Sequence, residues 1–250
     1  MFVSTVSLRW WHSTTFFAFE NRLAACYYPC RFWVDFLGRG IAMAIVTEAQ
    51  RQARIIEEKV REEHCLAFVR ESELISGVGV PDDAEQWRGG TKRHLELARI
   101  IAKPGGNLIN VCLLNTTLTD RKKEWFRTGT EGAMKGELPD GNIIPDLIER
   151  LNRSIDRKVK QLMQDGNEQE KDDFAWEMHD LLISIHAFKS CNGRTARMLM
   201  NHIRVQLGLP LFVIKYEKSD DYYAKLHEYK RDKFPAALAL LRTEEAKIAA

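Results

Sequence analysis

From Met43 onward, apolar positions recur every three or four residues between charged ones. Ile45, Ala49, Ala53, Ile56 and Val60 follow this rule within residues 45–70, which predicts a helix. Gly77, Gly79 and Pro81 break the pattern. A second helix is predicted from about Asp83 to Ala102, stopped by Pro104-Gly105-Gly106. Residues 107–120 suit a shorter helix or an irregular connection. Gly129, Gly132, Gly136, Pro139 and Gly141 punctuate residues 127–142, which suits a loop or short hairpin. Pro145 then stands at a first helical position, and Ile144, Leu147, Ile148, Leu151 and Ile155 make one apolar stripe. Further helices are predicted from about Asp172 to Ile185 and from Arg194 to Leu207, the latter closed by Gly208 and Pro210. Residues 217–232, rich in Glu, Lys, Asp and Tyr, read as a solvated helix with no site. No alternation of strands and helices appears, and no internal repeat, so the expected fold class is all-α.

Composition changes this picture at one end. The chain has 250 residues and a formal net charge of +2. Residues 1–42 hold eleven of the 24 aromatic residues and carry Arg9, Arg22, Arg31 and Arg39 against Glu20 and Asp35, so they supply the whole net charge. They are expected to be an extension outside the fold, with residues 43–250 forming a single domain whose core spans about 66–230. No uncharged apolar run reaches the length of a spanning helix, so no membrane partner is expected. A charge of +2 gives no broad footprint for nucleic acid. Five cysteines in a chain this long make no disulfide framework, and the Cys26/Cys30 spacing has no second pair to complete a metal site. The expected compartment is cytoplasmic.

The segment His186-Ala187-Phe188-Lys189-Ser190-Cys191-Asn192-Gly193-Arg194-Thr195-Ala196-Arg197 lies between two strongly periodic helices. Functional residues concentrate in such short loops on rigid scaffolds. From Ala187 to Leu207 there are Lys189, Arg194, Arg197 and Arg204, and no acidic residue. Arg194 and Arg197 fall in the first turn of the downstream helix. There they face the positive end of its dipole, at a cost of a few tenths to about 1 kcal/mol each. The first-turn amides of Cys191, Asn192 and Gly193 add positive potential, Gly193 lets a ligand approach the backbone, and Asn192 is placed to cap the helix. A polyanion between the arginines would offset these costs, and a phosphate chain is the natural candidate. The plainer alternative is that both arginines pair with buried acids and Asn192-Gly193 is an ordinary cap. Beside a phosphate cradle, His186 becomes a candidate general base, because an imidazole titrates near neutrality.

The same segment resembles the Fic-domain signature, His-Pro-Phe, two variable residues, Gly-Asn-Gly-Arg, two more, then Arg. His186, Phe188, Asn192, Gly193, Arg194 and Arg197 match it. His179, the run Leu182-Ile183-Ser184-Ile185, and the glycine-rich stretch followed by Ile144-Pro145-Asp146-Leu147 resemble the family's flanking helices and hairpin flap. The resemblance implies a Fic-type helical bundle with a short β-hairpin flap. It implies that His186 deprotonates a hydroxyl of a target protein, that the hydroxyl attacks the α-phosphate of ATP, and that AMP is transferred. Cys191, Asn192, Gly193 and Arg194 would hold the phosphates, Arg197 the γ-phosphate, and Phe188 would anchor the loop.

Three positions depart from the family. Its Mg²⁺-binding acid falls at Ser190, so Mg²⁺ is implied while its usual ligand is absent. Its first glycine is Cys191, which implies strain if that position needs φ > 0. Its proline is Ala187. Upstream, Ser72-Glu73-Leu74-Ile75-Ser76-Gly77 resembles the inhibitory helix of self-restrained Fic proteins, with Ser76 where the inhibitory Glu stands. That change implies an Arg197 without its clamp. Two functions follow: transfer of AMP, or of another phosphate-containing group such as phosphocholine or UMP, to a protein; or a nucleotide-binding or interaction module that has lost the chemistry.

Overall fold

The computed structural model describes residues 39–105, 109–122, 126–128 and 138–243, with side chains described from residue 50 onward. The chain divides into two compact units, Met1–Lys59 and Val60–Ala250. In chain order the α-helices are α1 (Arg39–Ile75), α2 (Gly89–Ile101), α3 (Val111–Thr119), α4 (Ile144–Asp165), α5 (Glu168–Ile185), α6 (Asn192–Gln206), α7 (Ser219–Asp232) and α8 (Phe234–Thr243). Among the described residues the only β contact is an isolated antiparallel bridge between Phe126 and Phe188. The fold is all-α. The expected hairpin tip falls on residues 129–137, and Cys26 and Cys30 on residues 1–38, all outside the described residues.

The second unit is built around α6. From Thr195 to Val205 every residue of this helix is buried. It packs most extensively on α5, and also against α3 and α2. Helix α5 answers with Met178, Leu181, Leu182, Ile183 and Ile185, all in the core. A helix buried on all sides needs polar residues only where they find partners. Asn201 finds them in the backbone of Phe212, and Arg204 in Asp172 and the Pro210 carbonyl. Gly208, at φ 82°, stops α6 in a left-handed turn that a side chain would strain.

Other elements follow their patterns. Helix α4 buries the expected stripe and extends it through Val159 and Leu162, with Pro145 in its first turn. Helix α5 starts at Glu168 rather than near Asp172. The Asn167 side chain accepts from the Glu170 amide while the Glu170 carboxylate accepts from the Asn167 amide, a reciprocal cap that adds the extra turn. The helix predicted from Asp83 to Ala102 is broken into a 3₁₀ turn (Ala84–Gln86) and α2, because the Asp83 carboxylate caps the turn at Glu85 and Trp87 adopts an extended backbone. Residues 107–120 contain the regular helix α3, capped by Asn110.

Burying histidines makes this core acid-sensitive. The His202 imidazole accepts from the Ile109 amide through Nε2 at 2.9 Å, and burial pushes its pKa down to about 4 from 6.5. The unfolded chain therefore binds a proton that the folded chain refuses. Stability from this residue is complete above pH 6.5 and is lost progressively as pH falls toward 4, by about 3 kcal/mol. Urea denaturation at pH 7 and pH 4.5 should show this loss, and His202→Gln should flatten the slope; an unchanged midpoint would contradict it.

Candidate functional site

Helices α5 and α6 are joined by residues 186–191, and the sequence dictates how this loop is held. His186 terminates α5 in the left-handed region, at φ 51° and ψ 53°, with its amide donating to the Leu182 and Ile183 carbonyls. Arg127, 3% exposed, braces this end: its Nε donates to the His186 carbonyl at 2.7 Å and its Nη2 to the Ile185 and Pro139 carbonyls. A guanidinium on the last carbonyls of a helix meets the negative end of its dipole. The Arg127 amide also donates to the Ala187 carbonyl, and the Phe126 and Phe188 rings stack at 5.4 Å. Phe188 is buried at 1% exposure, as an anchor should be.

At the other end, the expected cap is corrected. Cys191, not Asn192, is the N-cap of α6, and it stands at φ 62°, the conformation that favours glycine. Asn192 is the first helical residue and turns its side chain back on the loop. Its Oδ1 accepts from the Phe188 amide at 2.9 Å and its Nδ2 donates to the Phe188 carbonyl at 2.6 Å. Both groups of its amide are thus spent on shaping the loop. Asn115 of α3 adds a second brace, donating to the Ser190 carbonyl and the Thr195 hydroxyl, both at 3.0 Å. The backbone amides of Cys191, Asn192 and Gly193 have no acceptor among the described residues. A Cβ on Gly193 would lie 3.2 Å from Arg197 Nη1, so the glycine makes room for that guanidinium.

The two arginines fare differently. Arg194 Nη1 pairs with both oxygens of Glu73, at 3.1 and 3.3 Å, and its Nη2 lies 2.8 Å from the Cys191 sulfur. Glu73 is fully buried and also accepts from His94 Nδ1 at 2.8 Å. Burial pushes the Glu73 carboxyl up, but the His94 hydrogen bond and the Arg194 charge outweigh it and hold its pKa below the usual value. Burial holds His94 neutral. Among the described residues Arg197, 2% exposed, is bound only by oxygens without charge: Nε donates to the Ser72 hydroxyl at 2.8 Å, Nη2 to the Ser72 carbonyl and the Ser76 hydroxyl at 2.8 and 2.7 Å, and Nη1 to the Tyr222 hydroxyl at 3.4 Å. No carboxylate clamps Arg197 among the described residues. Ser76 holds it by a hydroxyl in place of a carboxylate, and the buried acid of the same helix, one residue past Ser72, holds Arg194 instead.

His186 lies at the far end of the loop from Arg194 and Arg197, half-buried. Burial first, then the charges of Arg127 and Lys230, hold its imidazole below the ordinary range, so it is neutral and able to accept a proton at neutral pH. Tyr222 is buried, although the segment 217–232 is expected to be a solvated helix. Its hydroxyl lies between Arg197 and His179 Nε2, at 3.1 Å from the latter, and His179 Nδ1 pairs with Asp180 at 2.8 Å. No metal-binding group of three or more His, Cys, Asp or Glu exists among the described residues. Ser190 presents a neutral hydroxyl and Glu73 is committed to two partners, so these residues do not fit the Mg²⁺ that the signature implies.

A family model for the Fic/DOC family matches residues 107–203, which includes the α5–α6 connection and both arginines. Residues 107–203 are a Fic domain. Over 56 residues this Fic-domain chain is 43% identical to protein adenylyltransferase Fic of Nematostella vectensis, a match covering 22% of the chain and 13% of the relative. It is also 43% identical over 49 residues to protein adenylyltransferase fic-1 of Caenorhabditis elegans, covering 20% of the chain and 10% of that relative. The matches thus span a small part of these curated relatives. A crystal structure of a Fic-domain-containing signaling protein from Bacteroides thetaiotaomicron shares the fold, with a TM-score of 0.54 at 17% identity, over 68% of this chain and 73% of that one. No helix among the described residues is long and apolar enough to cross a membrane.

Proposed function

We propose that this Fic domain binds the phosphate chain of ATP at the start of α6 and transfers AMP to a hydroxyl of a protein. The observation that carries the reading is Arg197. A guanidinium 2% exposed, with four neutral oxygen partners and no carboxylate partner among the described residues, is a buried charge without a described counter-ion. Isolated buried charge is costly, and an anionic ligand offsets the cost. Three amides at the helix start, with no acceptor among the described residues, and the neighbouring Arg194 add to the attraction. The 43% identity to protein adenylyltransferases over the short matched segments supports the choice of nucleotide and reaction.

In this reading His186, neutral at physiological pH, takes the proton of the target hydroxyl. The hydroxyl oxygen forms a bond to the α-phosphorus, the bond from that phosphorus to the bridging oxygen of the β-phosphate breaks, and pyrophosphate leaves with the electron pair. Arg194 and Arg197 balance the charge on the departing phosphates. Mg²⁺, where bound, would neutralise phosphate charge, and no residue described here is assigned to it.

A second reading, a nucleotide-binding module without transfer, is favoured by the Glu73–Arg194 pair and by the neutral Ser190. The two are separated with ATP labelled at the α-phosphate and a cell lysate. Label on protein supports transfer; ATP binding without label supports the module. Arg197→Met should abolish the ATP-induced rise in melting temperature. In the parent chain that rise corresponds to about 2.7 kcal/mol when ATP is a hundredfold above its Kd. An equal rise in the variant would remove Arg197 from the site.

A further inference from the structure

We infer that the site takes its polyphosphate as the metal-free anion, so that Mg²⁺ weakens nucleotide binding here. The inference rests on the proposed phosphate site and adds the ionic form of its ligand. The donor set is the ground for it. From Ala187 to Leu207 the sequence offers Lys189, Arg194, Arg197 and Arg204 and no carboxylate. Magnesium demands a compact shell of oxygen ligands, usually with one or two carboxylates from the protein. Ser190 meets α3 through its backbone carbonyl, bound by Asn115, and supplies a hydroxyl only. The carboxylate within reach of the arginines is Glu73, wholly buried, with its oxygens on His94 and on Arg194. Drawing Glu73 onto a metal would strip both partners of their acceptor.

The remaining charges at the site are positive, and the oxygens around Arg197 are neutral. Among the described residues Arg197 has no anionic partner, Arg194 shares one, and the Cys191, Asn192 and Gly193 amides point no proton at any acceptor. Such a set is complementary to phosphate oxygens that carry their full charge. A chelated magnesium ion cancels two of the four charges of ATP and occupies oxygens that the guanidinium groups would otherwise bind. With no protein carboxylate to repay that loss, the chelate is the poorer ligand.

Calorimetry with ATP measures this directly, in EDTA and in excess Mg²⁺ at matched ionic strength. The parent chain is expected to bind ATP about tenfold more tightly in EDTA, the change that the loss of one strong charge contact brings. Ser190→Asp should reverse the preference, binding more tightly with Mg²⁺. Equal or tighter binding by the parent in Mg²⁺ would overturn the inference while leaving the phosphate site standing. A Ser190→Asp chain that keeps the parent's preference would overturn it too, since Ser190 would then not set the sign. Absence of ATP binding in both media would take away the phosphate site itself.

Discussion

His186→Asn is expected to lower the rate of AMP transfer by about 10²–10⁴-fold, the usual contribution of a positioned general base, while ATP binds with unchanged affinity. Asparagine is the variant of choice because residue 186 sits at φ 51°, a conformation that Asn tolerates and most side chains resist. His186→Ala would add strain at the end of α5 and mix a folding effect with the chemical one. The pH profile supplies an independent readout. Burial and the charges of Arg127 and Lys230 depress the imidazole, so the base stays unprotonated until the pH drops below its ordinary titration range. The acid limb of kcat/KM should therefore lie below about pH 6.5. Transfer by the Asn variant at the parent's rate would remove His186 from the reaction.

Glu73→Ala is expected to act on stability and on binding in opposite directions. Removing the carboxylate leaves His94 Nδ1 and the Arg194 guanidinium without their buried partner, and breaking such a pair costs about 3–5 kcal/mol. The same change releases Arg194 for phosphate, so ATP should bind more tightly although the fold is weaker. Glu73→Gln preserves the shape and removes the charge; it should show the same gain in affinity with a smaller loss of stability. Chemical denaturation and calorimetry on the same samples check both signs. A variant that loses stability and affinity together would mean that Glu73 supports Arg194 as a ligand rather than competing with the nucleotide for it.

What the sequence displayed and what it hid divide along physical lines. The α4 stripe was legible because its apolar residues repeat with the helical period on one face. The cluster around Arg194 and Arg197 was legible because charge against a helix dipole stands out in a local reading. Glu73 was not, since one glutamate in a charge-rich helix looks solvated. Its burial comes from His94, 21 residues away, and Arg194, 121 residues away. Tyr222 was hidden for the same reason: α7 is dominated by charged residues, and the partner of its hydroxyl lies in another helix. Asn192 misled because an Asn before a helix usually caps it; here the left-handed Cys191 takes that position and frees the amide to brace Phe188.

The burial of α6 also sets which parts of this protein mutation can retune. Arg197 is held by two other helices, α1 through Ser72 and the adjoining Ser76 and α7 through Tyr222, so exchanging it disturbs packing beyond its own helix. Ser190, half-exposed and tied to the scaffold by its main chain alone, accepts new side chains with little structural consequence. Substitution in such a scaffold is therefore tolerated at the exposed loop position before the buried one.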